Sequence, residues 1–187
     1  MFENIRADTK RVLRNENAKL INVLTSLYLS YGLHAIVIYR FGRWLGRIGK
    51  HRFGWIIAAP LYPVYWILSA CIRLIYGINL EQSADIAAGF YINHFGGIEV
   101  KNCCIGSRCN IQQQVKLGST ETTDKGLVIG KGVYIGAHTQ ICTDVTVGDG
   151  VTIGAGAVIT QDIPPYCLVI GSPARITQRD YDNSSLL

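Results

Sequence analysis

Four histidines and six cysteines are the residues of this chain best suited to proton transfer or nucleophilic attack near neutral pH. They are His34, His51, His94 and His138, with Cys71, Cys103, Cys104, Cys109, Cys142 and Cys167. An imidazole, with an unperturbed pKa of about 6.5, suits general-base chemistry in the cell. The cysteines form neither a C-x-x-C pair nor a Cys/His spacing that would hold zinc, so no metal site is expected. The first 20 residues are charged throughout and do not read as a secretory leader. The cysteines are therefore expected to be reduced, small and buried rather than catalytic. His34 and His51 fall in apolar stretches and read as amphipathic or surface residues, and His138 reads as a solvent-facing turn residue. His94, in Asn93-His94-Phe95-Gly96-Gly97, is the first candidate for a base, the alternative being a histidine held by structural hydrogen bonds.

A repeat surrounds these residues and must position them. Ile129, Ile135, Ile141, Val147, Ile153 and Ile159 are six apart, and glycine follows four of them. A period of six fits neither the 3.6 of a helix nor the 2 of a strand, because part of each unit is spent turning a corner. The segment reads as a solenoid. Ile105, Ile111 and Leu117 keep the spacing, as do Leu80, Ile86, Ile92 and Ile98, but the two runs are out of phase by one residue. An irregular coil between Ile98 and Ile105 is expected, the kind of place where a repeat array re-aims side chains.

The net charge of +5 hides two unlike parts. Residues 1–76 carry eleven Lys/Arg against three Asp/Glu, while residues 77–187 carry seven against ten. The basic part is not patterned for nucleic acid, since its arginines are interleaved with long apolar stretches instead of sharing one polar face. Residues 2–30 are expected to be helical, with Asn4, Asp8, Asn15 and Asn17 as caps. A second helix is expected from Leu33 to Leu45, presenting Arg40, Arg43 and Arg47 to acidic headgroups. Gly54 to Ile72 has no charge and about the length a bilayer demands, roughly 20 residues, but Pro60 and Pro63 argue against a spanning helix. A buried or membrane-surface helical hairpin ending near Arg73 is expected instead, or a face packed on the solenoid or another subunit.

Together with the repeats, Tyr91-Ile92-Asn93-His94-Phe95-Gly96-Gly97-Ile98, Asp162-Ile163-Pro164-Pro165 and Gly171-Ser172-Pro173-Ala174-Arg175 resemble the hexapeptide acyltransferases. The order of helical N-terminus, histidine-bearing coil and repeat block resembles the serine acetyltransferase branch, which includes acetyltransferases of exopolysaccharide and capsule biosynthesis such as the colanic acid type. The resemblance implies a mainly β fold, a left-handed parallel β-helix with three hexapeptides per coil and an α-helical N-terminal region, assembled as a homotrimer. The expected division is a helical region over 1–76, a β-helix acetyltransferase domain over 77–176 and a tail over 177–187. Spacing accounts for the core: one apolar side chain per strand points inward, and the glycine beside it lets coils stack, so bulk at Gly136 or Gly154 is expected to disrupt them.

By the same resemblance, His94 is the catalytic base of direct acetyl transfer from acetyl-CoA to a hydroxyl, with backbone N–H groups beside Gly96-Gly97 or Gly118 holding the oxyanion. Gln113, Gly118, Ala137 and Ala155 fall on the family's cofactor groove, and Arg175, with Arg179 as a second cation, on its phosphates. The family's acidic partner of the histidine falls on Asn79, with Glu81 and Asp85 near enough in sequence to substitute, and Asn93 stands where serine acetyltransferases have aspartate. Asn93 and Glu81 are the expected substrate-binding residues.

The acceptor reading turns on one loop. Serine acetyltransferases carry an Asp-Arg-His-Pro-type segment whose arginine and histidine read the amino acid's carboxylate, but residues 119–126 here contain neither. A sugar or polysaccharide hydroxyl, which needs no carboxylate anchor, is thereby the expected acceptor, with L-serine, anchored by Lys125, as the alternative. A non-catalytic trimeric scaffold is the third reading. The expected location is the cytoplasm, with residues 33–76 in peripheral contact with the inner face of the membrane.

Overall fold

The computed structural model describes residues 2–13, 30–119 and 126–187. Its helices are α1 (Phe2–Leu13), α2 (Tyr31–Gly49) and α3 (Gly54–Tyr76). Short strands then wind into three sheets. The first contains β1 (Ile78–Leu80), β4 (Ile98–Val100), β7 (Lys116–Leu117), β10 (Gln140–Ile141) and β13 (Val158–Ile159). The second contains β2 (Asp85–Ile86), β5 (Cys103–Ile105), β8 (Leu127–Ile129) and β11 (Thr146–Val147). The third contains β3 (Tyr91–Ile92), β6 (Asn110–Ile111), β9 (Tyr134–Ile135), β12 (Thr152–Ile153), β14 (Cys167–Gly171) and β15 (Ala174–Arg179). Pairing is parallel throughout except for the hairpin of β14 and β15. The result is a left-handed parallel β-helix of about five coils with helices at its N-terminal end.

The hexad residues fill the prism. Ile86, Ile92, Ile105, Ile111, Leu117, Ile129, Ile135, Ile141, Val147, Ile153 and Ile159 are all buried. The out-of-phase runs have a definite cause. Val100, not Ile98, stacks between Leu80 and Leu117, while Ile98 stacks on Ile78. Eight residues thus separate Ile92 from Val100, and five separate Val100 from Ile105. Two residues are added at the turn that carries His94, and one is removed at Lys101-Asn102.

A Cβ at Gly136 would lie 2.6 Å from the Ala155 amide nitrogen, a contact the next coil cannot relieve. At Gly154 the nearest atom would be Ile170 Cγ1 at 3.0 Å, a side chain that can yield, so Gly154 is less restrictive than its place in the repeat implies.

The helices differ from expectation in three ways. Asp8 is no cap: it is buried inside α1, accepting from Gly89 N at 2.7 Å, Phe90 N at 3.1 Å and Arg40 Nε at 3.2 Å. Asn4 also lies within α1, and Asn15 and Asn17 fall outside the described residues. The expected cationic face of α2 is largely spent internally, because Arg40 also donates to the carbonyls of Ile86 and Ala87, and Arg43 meets Asp85 at 2.6 Å. Only Arg47 of the three is exposed. Finally, α3 continues through Pro60 and Pro63. Both prolines and the residues whose carbonyls they leave unpaired, Ile56 and Ala59, face outward, where the missing bonds disturb no packing. Gly77 ends the helix at φ +63°, and β1 begins at the next residue.

Candidate active site

One edge of the prism, between the third and first sheets, gathers most of the expected site. Gln114 N donates to Gly96 O at 2.8 Å, His138 N to Gln113 O at 3.0 Å and Gly156 N to Ala137 O at 2.7 Å. These bonds stack the turns bearing His94, Gln113, Ala137 and Ala155 in successive coils. The column ends at the hairpin, where Val169 pairs with Ile153 and Ile170 with Arg175. Arg175 therefore stands above Ala155 on the same edge. At about 4.8 Å per strand, five steps separate it from His94 by roughly 24 Å.

His94 is exposed, and among the described residues no side chain hydrogen-bonds its ring. The turn itself is firmly held. Gly96 N donates to Tyr76 O at 2.9 Å, and the Phe95 ring meets Tyr31 edge-on at 5.0 Å, as Tyr31 meets Tyr76. This aromatic brace ties the histidine turn to α2 and α3, and the hexad pattern contained no sign of it. Beside His94, Asn93 Nδ2 donates to Gln112 Oε1 at 3.1 Å and its Oδ1 accepts from Tyr91 at 3.3 Å. Asn93 also lines a cavity of about 410 Å³ with Arg11, Tyr91, Asn110, Gln112 and Tyr134.

Other expected residues lie elsewhere. Glu81 is at the edge between the first and second sheets, accepting from Ser83 Oγ at 3.2 Å and lying 3.9 Å from Lys101 Nζ. Within the protomer it is separated from the His94 turn by the width of β4, about 10 Å for three residues at ~3.3 Å each. It is not the histidine's partner in this chain. Asp85 is committed to Arg43, so it does not substitute either. Gly118 shares the Glu81 edge, and its N–H donates to Ile141 O at 3.3 Å. Of the expected oxyanion donors, Gly96 and Gly118 are thus engaged, leaving Gly97 N–H unclaimed among the described residues. Arg179 pairs with Cys167 at the far end of the hairpin, away from Arg175. Lys125 falls outside the described residues.

Sequence reading missed one carboxylate. Glu99 projects from β4 in register with Asn79, one coil above the position where an acid was expected, and its Oε2 lies 3.3 Å from Lys101 Nζ. The apolar-Glu-apolar alternation of Ile98-Glu99-Val100 was the available signal. His138 is exposed on the histidine edge, whereas His34 stacks on Tyr76 and His51 is exposed beyond the end of α2.

The cysteines divide evenly. Cys103, Cys109 and Cys167 are buried, but Cys71, Cys104 and Cys142 are exposed, correcting the expectation that all are interior. Burial pushes the Cys103 thiol up to about 12 and the Cys109 thiol up to about 11, which leaves both protonated and unreactive. Among the described residues no group of three metal-ligating side chains occurs.

The edge suits an extended, amide-bearing, phosphorylated thioester. Gln113 Oε1 is buried without a hydrogen-bond partner among the described residues, an acceptor that an amide N–H would satisfy. Ala137 and Ala155 keep the column shallow, and the exposed Arg175 offers a fork for phosphate.

Residues 126–161 match the family described as bacterial transferase hexapeptide (six repeats). The serine acetyltransferase of Escherichia coli K12 is 34% identical over 164 residues, 86% of this chain and 56% of that protein. The serine acetyltransferase of Synechocystis sp. is 30% identical over 179 residues, 94% of this chain and 67% of that protein. The chain thus spans between half and two thirds of the length of these relatives. The crystal structure of serine acetyltransferase in complex with coenzyme A from Brucella abortus superposes with a TM-score of 0.75 at 26% identity, covering 95% of this chain and 68% of that one.

Proposed function

The chain belongs to the serine acetyltransferase family of hexapeptide-repeat transferases, and from that membership we propose that it is an acetyl-CoA-dependent O-acetyltransferase working at the His94 edge. The observation that carries this reading is the single column formed by His94, Gln113, Ala137, Ala155 and Arg175. Arg175 holds phosphate, the Gln113–Ala155 stretch receives the pantetheine arm, and the thioester lies beside His94. Neutral His94 accepts the acceptor hydroxyl's proton as that oxygen bonds to the thioester carbonyl carbon. Gly97 N–H is the candidate donor to the developing oxyanion. The C–S bond then breaks, the acetyl ester is released, and the proton on His94 passes to the departing thiolate. No acyl-enzyme is required.

L-Serine is the acceptor that the relatives favour, replacing the sugar toward which residues 119–126 pointed. The sugar hydroxyl remains the second reading on one observation: that segment has no arginine or histidine to anchor a carboxylate. A homotrimer accounts for Glu81 and Gly118, since the edge that bears them reaches a His94 only from a neighbouring copy. Labelled acetyl-CoA offered with L-serine, and separately with envelope glycan precursors, tests the reading. O-Acetylserine alone establishes the amino acid, acetylated glycan alone establishes the sugar, and no transfer to either, with no binding of acetyl-CoA by calorimetry, leaves a scaffold.

A further inference from the structure

The outward face of α3 is apolar over its whole length. Its inner seam is narrow: Ala58, Tyr65 and Ile72, seven residues apart, are the buried positions, with Leu45 of α2 in the same cluster as the first two. Around the rest of the helix, Trp66 is 69% exposed, Ile67 65%, Leu74 82% and Ile75 69%. Arg73 is the only charged residue among the 23. A helix of that length extends about 35 Å, so this face far exceeds the scattered apolar residues normal on a soluble surface.

The charge around it identifies the occupant. No carboxylate occurs between Asn17 and Leu80, while Arg47, Lys50 and Arg52 are exposed where α2 turns into α3, and Arg73 is exposed at the other end. Apposing two copies through this face would bring like charges together without acids to offset them, whereas anionic headgroups complement both ends. The exposed rings of Trp55 and Trp66 suit the same headgroup level.

We propose that α3 is a membrane-docking helix, lying in the plane of an anionic lipid surface with its outer face at the boundary between headgroups and acyl chains and its terminal cations among the headgroups. Lying flat fits better than spanning. Two prolines leave carbonyls of the outer face unpaired, which the bilayer interior does not tolerate but the hydrated interface does. The α2 seam also holds one side of α3 against protein. Docking adds to the proposed transferase activity without depending on it. Because Tyr76 at the end of α3 bonds the His94 turn, docking sets that edge close to the lipid surface.

The test is co-sedimentation of the full chain with vesicles of phosphatidylcholine alone and of phosphatidylcholine mixed with phosphatidylglycerol, with tryptophan fluorescence read in parallel. Binding to the anionic vesicles, weakened by salt, with a blue shift, is expected. Lys50→Gln and Arg52→Gln should each weaken it by about 5-fold, near the value of one interfacial cation. Trp66→Glu with Ile67→Glu should weaken it by more than about 10-fold while acetyl transfer in solution is retained, because both sites are exposed. Failure to bind anionic vesicles, or unaltered binding by the double Glu variant, overturns the proposal. So does a lipid-free oligomer that dissociates on introduction of those two glutamates, which would make a second copy the occupant.

Discussion

In the solenoid nearly every large aliphatic side chain is covered, whereas in α3 most of them face outward. Both segments are rich in isoleucine, leucine and valine, so composition does not explain the contrast. A winding chain supplies its own cover: each inward Ile or Val meets the other two faces of its coil and the coils above and below. A helix attached to the end of the stack meets one neighbour and buries one seam. The polar groups are distributed the opposite way. The solenoid keeps its carboxylates outside, while the helical base buries an Asp8–Arg40 pair to fix itself to the first coil. Burial measures what the rest of the chain places opposite a residue, and apolar character alone does not secure it.

The sharpest separation of chemistry from packing is His94→Ala, which should reduce acetyl transfer by about 10²- to 10⁴-fold with an unchanged melting temperature, as the ring is exposed and supports nothing. Near-normal turnover would remove the base from the His94 edge. Asp8→Ala should cost about 3–5 kcal/mol in chemical denaturation, because it leaves the buried Arg40 without its carboxylate. A loss of less than about 1 kcal/mol would mean that apolar packing alone holds the helical base. Next, Gly136→Val should destabilise by about 1–3 kcal/mol or more, and Gly154→Val by visibly less, since backbone lies 2.6 Å from the added Cβ at the first and 3.4 Å at the second. At the smallest end, Ile67→Ser should shift stability by no more than about 0.5 kcal/mol in lipid-free solution. Alkylation at pH 8 read by mass spectrometry should mark Cys71, Cys104 and Cys142 and spare Cys103 and Cys109, whose thiols stay protonated. Labelling of Cys103 in the folded protein would show that the prism opens.

Much of the fold was legible because a six-residue period has few physical explanations, and the hexad isoleucines are where that period puts them. The phase slip was legible as well, but its location was not. Counting from Ile98 places the irregularity after the histidine, and only strand register shows that the extra residues sit in the histidine's own turn, with Val100 taking the hexad place. Proline was misleading in α3 because sequence cannot say which way the unpaired carbonyls face. Proximity along the chain was likewise misleading for Glu81, which three strand residues carry to another edge.

By itself the sequence determined the repeat, the inward residues, the histidine and the division into a basic helical base and an acidic solenoid, all of them properties of spacing and residue type along one dimension. Tertiary structure decided which residues share an edge. It put Gln113, Ala137, Ala155 and Arg175 in line with His94, sent Glu81, Gly118 and Arg179 elsewhere, and raised Glu99 into the register of Asn79. The physical reason is that neighbours in a parallel β-helix are one coil apart, and a coil here takes between 16 and 24 residues according to the lengths of its turns. Only the hydrogen-bond ladder between coils fixes that offset.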